Sequence, residues 1–319
     1  MTSDNEKPAI EVRGLAKRFD DVQAVAGIDF EVREGELFGF LGPNGAGKTT
    51  TVRMLTGVLE PTDGTASVQG HDIRTEALLS RAHMGIVPEQ ANVYLDLSLW
   101  QNLMLMAELH GVPRRQRVRE GERLLKTLGL ADRRRDKART LSKGLRQRLM
   151  LCTALVTGPQ VLFLDEPTSG LDVASARLIR QTVQELRDDG LTVFLTTHNM
   201  DEAEEMCSRV AIINQGRVVA IDTPERLRSA MRSSQYLEVA FDGDEVDLAA
   251  FERLAGVLRL TRAGKCVRLY GEHPGALATE VVRLAETTGV GITHLCTRKP
   301  SLEDVFLYFT GDHAQELEQ

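Results

Sequence analysis

The spacing of apolar residues divides the first half of the chain into strand-like and helix-like stretches. Apolar and polar residues alternate at 10–15 and 28–32, as in half-buried strands, and an unbroken apolar run follows at 37–41. From residue 99 to about 155 the apolar residues recur at helical spacing, interrupted at two glycines. This pattern predicts a β-rich region followed by a mostly helical block.

Three short apolar runs in the next part of the chain are typical of buried parallel strands. They lie at residues 161–164, 191–195 and 210–213, and helix-like segments separate them. Gly216 is placed to turn a last hairpin, and Pro224 is placed to open a short helix. The pattern therefore predicts an α/β unit built on a parallel sheet.

Beyond about residue 232 the spacing predicts a second, smaller unit. A hairpin is expected around Ala263-Gly264, between the second and third of four predicted strands. The predicted strands lie at 236–241, 257–261, 266–270 and 292–296, and the predicted helices at 248–254 and 276–287. This order, βαββαβ, is that of a ferredoxin-like α+β unit.

The length of the chain agrees with this division. Its 319 residues suffice for one domain of about 200 residues and a smaller companion. We expect domains at 1–230, with a helical subdomain at about 95–155, and at 232–312. The polar ends, 1–7 and 312–319, are expected to fray.

Cysteine usage and net charge limit where the protein works. There is no CxxC pair and no signal peptide, so we expect four buried thiols in a reducing, cytoplasmic compartment: Cys152, Cys207, Cys266 and Cys296. The net charge of −7 argues against a protein that coats nucleic acid. The longest apolar runs fall well short of the roughly 18 residues that cross a bilayer. A role at a membrane would therefore require a partner.

A complete phosphate-loop pattern, GxxxxGK[ST], follows the apolar run at 37–41. Its residues are Gly42, Pro43, Asn44, Gly45, Ala46, Gly47, Lys48 and Thr49. The glycines let successive N–H groups face an anion, and the following helix, with Thr50 in its first turn, adds the positive end of its dipole. Lys48 would reach the β and γ phosphates, and the Thr49 hydroxyl would be a Mg²⁺ ligand. The alternative is a glycine-rich turn between strand and helix.

The apolar run at 161–164 ends abruptly in two carboxylates. Asp165, at the end of a strand beside the phosphate loop, is placed to hold Mg²⁺ through its water shell. Glu166 could polarise an attacking water. The alternative is a pair of solvated acids at the end of a strand.

Several further segments carry a family resemblance when they are taken in order. They are Leu141-Ser142-Lys143-Gly144-Leu145, Asp165-Glu166-Pro167-Thr168, Ser169-Gly170-Leu171-Asp172 and Thr197-His198. With the phosphate loop, residues 8 to about 228 resemble the ATP-binding subunit of an ABC transporter. The resemblance implies a P-loop NTPase fold, a RecA-like parallel sheet with a β-rich flank and a helical subdomain.

The resemblance also implies a head-to-tail dimer that holds ATP between its two chains. Ser142 and Gly144 would then bind the γ-phosphate of the nucleotide on the partner chain. His198 would contact the γ-phosphate and help to fix the water near Glu166, and Phe19 would stack on adenine. Taken alone, Ser142 could be an ordinary helix N-cap, and His198 and Phe19 could be structural.

The chain departs from the family pattern in two places. The usual signature is LSGGQ, whereas Lys143 and Leu145 stand here for its first glycine and its glutamine. Lys143 is compatible with an exposed dimer face and with a nearby γ-phosphate. The family usually has glutamine directly after the proline of the segment at 87–90, but this chain has Glu89 and then Gln90. A contact with Mg²⁺ or with the attacking water is assigned to this loop, and either residue could make it.

The end of the chain bears on the type of transporter. The segment 300–306 resembles the tail of ATPases that serve ABC-2-type exporters, including drug and antibiotic self-protection pumps. The resemblance therefore implies an ATPase that energises export through a separate ABC-2-type membrane permease, from a peripheral position on the cytoplasmic face. A simpler alternative is that Pro300 opens an amphipathic helix that packs on the small domain, and both can hold together.

Several functional alternatives stay open from the sequence. They are an import ATPase, an ABC ATPase acting in translation or DNA repair, and a regulatory module that has lost hydrolysis. Homodimer and heterodimer are equally compatible with the sequence, and no nucleic acid partner is expected. The basic clusters at 114–117 and 133–135 are solvated faces, or they contact lipid head groups or the membrane subunit.

Overall fold

The computed structural model describes residues 7–230, 235–242, 246–263, 266–271, 273–298 and 301–310. The chain divides into two compact units between Thr223 and Pro224. The predicted boundary at 230–232 lies after the helix Pro224–Ala230, which the structure groups with the second unit. Apart from Lys7, the polar ends expected to fray lie outside the described residues, as do Gly264 and Pro300.

The first unit contains two sheets and a set of helices. Its strands are β1 (Ile10–Phe19), β2 (Val22–Val32), β3 (Leu37–Leu41), β4 (Asp63–Val68), β5 (His71–Asp72), β6 (Met84–Val87), β7 (Val161–Asp165), β8 (Thr192–Thr197), β9 (Arg209–Asn214) and β10 (Arg217–Asp222). Its helices are α1 (Lys48–Leu55), α2 (Ala77–Ala82), α3 (Leu99–Leu109), α4 (Arg114–Thr127), α5 (Lys143–Leu155), α6 (Val173–Asp188) and α7 (Met200–Met206).

The central sheet is six-stranded, in the order β10-β9-β3-β8-β7-β6. All neighbours pair in parallel except the hairpin β9-β10. Every residue of β3, β7 and β8 is buried. A parallel sheet is covered on both faces, so its strands are continuous apolar runs, and this is why the sequence pattern identifies them.

The β-rich flank is a four-stranded antiparallel sheet, in the order β2-β1-β4-β5. Its Phe30 packs on the central sheet through Phe38, Phe40 and Phe194, with ring centroids 5.5–5.9 Å apart. Phe163 adds a further ring contact to Phe194 at 5.6 Å. Large aromatic side chains bury much apolar surface, so this cluster fixes the flank against the central sheet.

The predicted helical block is present as α3, α4 and α5, and some of its basic residues make contacts within the unit. Arg117 pairs with Glu108 at 3.0 Å, and the Arg134 guanidinium stacks on Trp100 at 4.3 Å. Arg133 and Arg135 are exposed. Each cluster is thus partly a structural feature of the helical block.

The apolar pattern predicted no element at 63–87, where the structure has β4, β5, α2 and β6. These elements are short, and α2 exposes its two leucines, Leu78 and Leu79. A short helix with exposed apolar residues has no amphipathic stripe, so the periodicity that reveals helices is missing.

The second unit has the predicted strand and helix order. Its elements are α8 (Pro224–Ala230), β11 (Tyr236–Asp242), α9 (Leu248–Glu252), β12 (Arg259–Ala263), β13 (Cys266–Tyr270), α10 (Pro274–Thr288), β14 (Gly291–Arg298) and α11 (Leu302–Thr310). The sheet order is β12-β13-β11-β14, with every pair antiparallel, which is the ferredoxin-like arrangement. Its core includes Leu237, Phe251 and Leu269.

Helix α11 contains most of the segment whose sequence suggested an exporter. Leu302 and Val305 are fully buried, as expected of an amphipathic helix that packs on its own unit. Within the described residues, no helix of either unit is both long and apolar enough to cross a bilayer.

The four cysteines are not uniformly buried, which corrects the expectation from the sequence. Cys152 and Cys207 are buried, whereas Cys266 and Cys296 are only partly buried on the sheet of the second unit. Cys266 and Cys296 lie on strands β13 and β14, and most residues of β14 are exposed. The alternation of apolar and polar residues in the sequence does not indicate this exposure. Burial raises the pKa of the Cys152 and Cys207 thiols, and so keeps them protonated at neutral pH.

This difference predicts the order in which the thiols react. Because the thiolate is the nucleophile, a water-soluble maleimide should label Cys266 and Cys296 in the native protein and spare Cys152 and Cys207 until unfolding. Peptide mass spectrometry after a timed quench measures this order. Labelling of Cys152 as fast as that of Cys296 in the folded protein would contradict it.

Candidate active site

The candidate site lies at one edge of the central sheet. Parallel strands β3, β8, β7 and β6 are neighbours, with Leu41 beside Thr197, Leu164 beside Leu195 and Val87 beside Leu164. Their carboxyl ends therefore meet. The segments that leave these ends are the phosphate loop after β3, His198 after β8, Glu166 after β7 and residues 88–90 after β6. The fold thus gathers four predicted functional segments at one edge, where open α/β sheets bind ligands.

The phosphate loop needs glycine at two positions for steric reasons. A Cβ atom on Gly42 would overlap the carbonyl oxygen of Ile213. Gly47 has φ of 109°, and a Cβ there would lie 2.6 Å from the carbonyl oxygen of Ala24. Gly47 directly precedes α1 and cannot cap it with a side chain, so the first N–H groups of α1 are available to a phosphate.

Lys48 is held by three oxygen atoms at the start of α1. Its ammonium donates to the carbonyl oxygens of Gly42 at 2.8 Å and Pro43 at 3.1 Å, and lies 3.2 Å from Oε1 of Glu166. The side chains of Lys48 and Glu166 are only 5% and 10% exposed. A buried ammonium whose neighbours are oxygen atoms can also donate a hydrogen bond to a phosphate oxygen that enters the loop.

Glu166 lies between two nitrogen groups. Its Oε2 is 2.6 Å from Nδ1 of His198, and since an ionised carboxylate only accepts, this nitrogen is the donor. His198 is half-exposed, with 50% of its side chain accessible. A carboxylate fixed by an ammonium and an imidazole, with access on the imidazole side, can orient a water and accept its proton.

The backbone of Glu166 is in the left-handed region, with φ of 48°. Its N–H donates to the carbonyl oxygen of Thr196 at 3.0 Å, which anchors the residue to the neighbouring strand β8. This turn sends the adjacent acids to different partners, Asp165 to hydroxyl groups and Glu166 to Lys48 and His198.

Asp165 and Thr49 form the part of the site that suits a divalent cation. Oδ1 of Asp165 accepts from the Thr196 hydroxyl at 2.5 Å and lies 3.4 Å from the Thr49 hydroxyl. The described residues contain no group of three or more His, Cys, Asp or Glu side chains arranged around a metal. Mg²⁺ needs only one or two oxygen ligands from the protein when phosphates and waters supply the rest, so Thr49 and Asp165 fit it.

Glu89 and Gln90 lie in the loop after β6, at the same edge of the sheet. Both are exposed. The structure therefore brings this loop to the site without distinguishing which of the two side chains serves there.

The signature segment begins helix α5. Ser142 is its N-cap and accepts from the N–H of Leu145 at 3.4 Å, as the simpler interpretation of the sequence had it. A Cβ on Gly144 would lie 2.5 Å from the Ser175 hydroxyl, so only glycine fits there. The Lys143 ammonium donates to the carbonyl oxygen of Ser169 at 2.7 Å and is thus tied to the turn that follows Glu166.

Phe19 lies at the end of β1 and is 45% exposed. Its ring is 5.2 Å from the Lys17 ammonium. This exposure rules out a place in the core, and it leaves the ring available for stacking.

One buried acid near the site is not among the site residues that we predicted from the sequence. Glu202, in α7, accepts hydrogen bonds from the hydroxyl groups of Thr168 and Thr197. In the sequence it belongs to an acidic run at 201–205, which is typical of a solvated helix face. No signal in the sequence separates it from its exposed neighbours.

A phosphate loop with a buried lysine, a Thr–Asp pair suited to Mg²⁺ and a Glu–His pair, all at the carboxyl edge of a parallel sheet, define a P-loop nucleoside triphosphatase. The family model described as ABC transporter matches residues 25–169.

Three relatives align with nearly the whole chain. Daunorubicin resistance ATP-binding protein DrrA3 of Streptomyces coeruleorubidus is 37% identical over 95% of this chain and 96% of its own. Linearmycin resistance ATP-binding protein LnrL of Bacillus subtilis is 32% identical over 95% of this chain and 98% of its own. Nod factor export ATP-binding protein I of Ralstonia nicotianae is 36% identical over 95% of this chain and 94% of its own. The chain belongs to the ABC transporter family as an ATP-binding subunit, and it is an ATPase.

Solved structures agree on the fold over 70% of this chain. One is an ATP-binding subunit of an ABC transporter, 29% identical with a TM-score of 0.65, which covers 70% of this chain and 92% of its own. Another is cbiO1 of Clostridium perfringens, part of the ABC transporter complex cbiONQ, 27% identical with a TM-score of 0.64 and coverage of 70% and 92%. The predicted family and fold class are confirmed.

Proposed function

We propose that two copies of this chain bind MgATP between them and drive export of a small molecule through an ABC-2-type permease, from the cytoplasmic face of the membrane. The observation that carries the catalytic part is the placement of Glu166 between Lys48 and His198. The export direction is supported by the relatives, whose names state drug resistance or Nod factor export and whose alignments cover 95% of this chain. The solved ATP-binding subunits align with only 70% of this chain.

In this proposal each group at the edge of the sheet has a defined task. Lys48 and the N–H groups of the phosphate loop bind the β and γ phosphates, and His198 orients the γ-phosphate. Thr49 and Asp165 hold Mg²⁺, which when bound neutralises charge on the phosphate oxygens. We assign the nucleotide contacts to residues 42–50 and Phe19 of one copy, and to Ser142 and Gly144 of the second copy. We also assign a place near the cation to Glu89 or Gln90.

Phosphate binding also changes the environment of Glu166. Lys48 contacts both the phosphate loop and Glu166, so a phosphate that enters the loop exchanges the Lys48–Glu166 ion pair for a Lys48–phosphate contact. The carboxylate keeps His198 as a donor and becomes free to accept the proton of an attacking water. Binding of the nucleotide therefore prepares the base.

Capture of the partner tests the transport part of the proposal. The Glu166→Gln variant, affinity-tagged and incubated with ATP in native membranes, should co-purify with a polytopic membrane protein identified by mass spectrometry. The same variant without nucleotide is the control and should retain less of it. Co-purification with ribosomes or DNA in place of a membrane protein would contradict the proposal.

A further inference from the structure

Glu202 is a buried carboxylate that bridges two segments of the first unit. Its side chain is 1% exposed. Oε1 accepts from the Thr168 hydroxyl at 2.7 Å, and Oε2 accepts from the Thr197 hydroxyl at 2.9 Å. A carboxylate removed from water is costly unless its oxygens are hydrogen-bonded, and these two hydroxyl groups supply the bonds. The bridge is thus a stable contact and not a chance approach.

The two bridged segments carry the Glu–His pair. Thr168 follows Glu166 by two residues, within a turn closed by a hydrogen bond from the N–H of Ser169 to the carbonyl oxygen of Glu166 at 3.1 Å. Thr197 is the last residue of β8 and directly precedes His198. The Glu202 carboxylate therefore links the turn that follows Glu166 to the residue that precedes His198, and the side chains of Glu166 and His198 meet at 2.6 Å.

The local sequence fixes Glu202 in this place. Asn199 caps α7 by accepting from the N–H of Glu202 at 3.1 Å, and its own N–H donates to the Thr197 hydroxyl oxygen at 3.0 Å. An acid in the first turn of a helix is also favoured by the helix dipole. The start of α7 is therefore a rigid support for the Glu202 side chain.

We propose that Glu202 is a positioning residue for ATP hydrolysis, which holds Glu166 and His198 at the separation that the water-activating step needs. The proposal rests on the roles proposed above for Glu166 and His198. Catalytic groups displaced by about 1 Å lose up to about 100-fold in rate, so loss of this bridge acts on turnover and not on nucleotide affinity.

Steady-state kinetics of Glu202→Ala and Glu202→Gln test the proposal in the full-length chain. We expect the alanine variant to lower kcat about 30-fold and the glutamine variant about fivefold, with KM for ATP and the affinity for a fluorescent ATP analogue within about twofold of the parent. Glu205→Gln, on the same helix but exposed, is the matched control and should leave kcat unchanged.

A double variant separates positioning from a general loss of structure. Because Glu202 acts through the Glu166–His198 pair, adding Glu202→Ala to Glu166→Gln should lower the residual rate by much less than Glu202→Ala lowers the rate of the parent. A further loss of the same factor as in the parent would overturn the proposal, and so would a fall in ATP affinity as large as the fall in kcat.

Thr168 offers a test that leaves the buried acid in place, in case Glu202→Ala does not fold. Thr168→Ser retains the hydroxyl and should retain kcat, whereas Thr168→Val removes the donor and should lower kcat about tenfold. Equal kcat in both variants would overturn the positioning role. Normal turnover in Glu166→Gln would instead count against the proposed function.

Discussion

Glu166→Gln is expected to lower the steady-state rate of ATP hydrolysis at least about 100-fold while leaving ATP binding intact. Glutamine has the size of glutamate and keeps an oxygen for Lys48, but it cannot accept a proton from water. A positioned general base contributes about 100-fold to 10,000-fold to a rate, and glutamine loses this contribution. Removing a carboxylate beside Lys48 also removes a competitor for the ammonium, so ATP affinity should stay equal or rise.

Three measurements on purified protein check this result. Phosphate release gives the turnover, a fluorescent ATP analogue gives the affinity, and analytical ultracentrifugation with ATP shows whether the variant accumulates as the proposed dimer. Glu122→Gln, an exposed acid of the helical block, is the control for loss of a negative charge. Wild-type turnover in Glu166→Gln would refute the assignment of the base.

Lys48→Ala has the second large expected effect, a loss of ATP affinity of at least about 100-fold. Lys48 is the cation that the structure places within the phosphate loop, where it is buried against two loop carbonyl oxygens. Charge-assisted hydrogen bonds to phosphate are among the strongest in proteins, and alanine provides none. Isothermal titration calorimetry with ATP and Mg²⁺ measures the loss.

Lys48→Ala has a side effect that a second variant removes. Without the ammonium, the largely buried Glu166 carboxylate keeps only His198 as a donor, so the variant should also unfold at a lower temperature. The double variant Lys48→Ala/Glu166→Gln removes the uncompensated charge. It should regain thermal stability without regaining ATP affinity. If affinity returned together with stability, the loss in Lys48→Ala would be a folding defect, and Lys48 would not be a phosphate ligand.

The sequence predicted those parts of the site that are contiguous in the chain. The phosphate loop and the Asp165-Glu166 pair are recognisable because each chemical group has a fixed neighbour and follows an apolar strand. The strand order then explains why they meet, because parallel neighbours end at one edge. The Lys48–Glu166 and Glu166–His198 contacts themselves follow from this order rather than from any local pattern.

Contacts between distant segments are what the sequence could not provide. Lys143 departs from the family signature, and its ammonium donates to the backbone carbonyl oxygen of Ser169. Because every residue has a backbone carbonyl, the sequence does not indicate which one Lys143 contacts. Glu202 resembles its exposed acidic neighbours, and only the fold buries it. Cys266 and Cys296 show the reverse, since the absence of a CxxC pair led us to expect buried thiols, whereas both are only partly buried.

The left-handed backbone at Glu166 has a consequence for how this chain can change over generations. A non-glycine residue with positive φ carries a conformational cost of about 1 kcal/mol or more, and glycine or asparagine carries less. A lineage released from the need to hydrolyse ATP would therefore relieve this backbone by drifting toward those residues. Glutamate at this position therefore carries a cost in local stability, which is the trade-off expected at a site that needs a carboxylate.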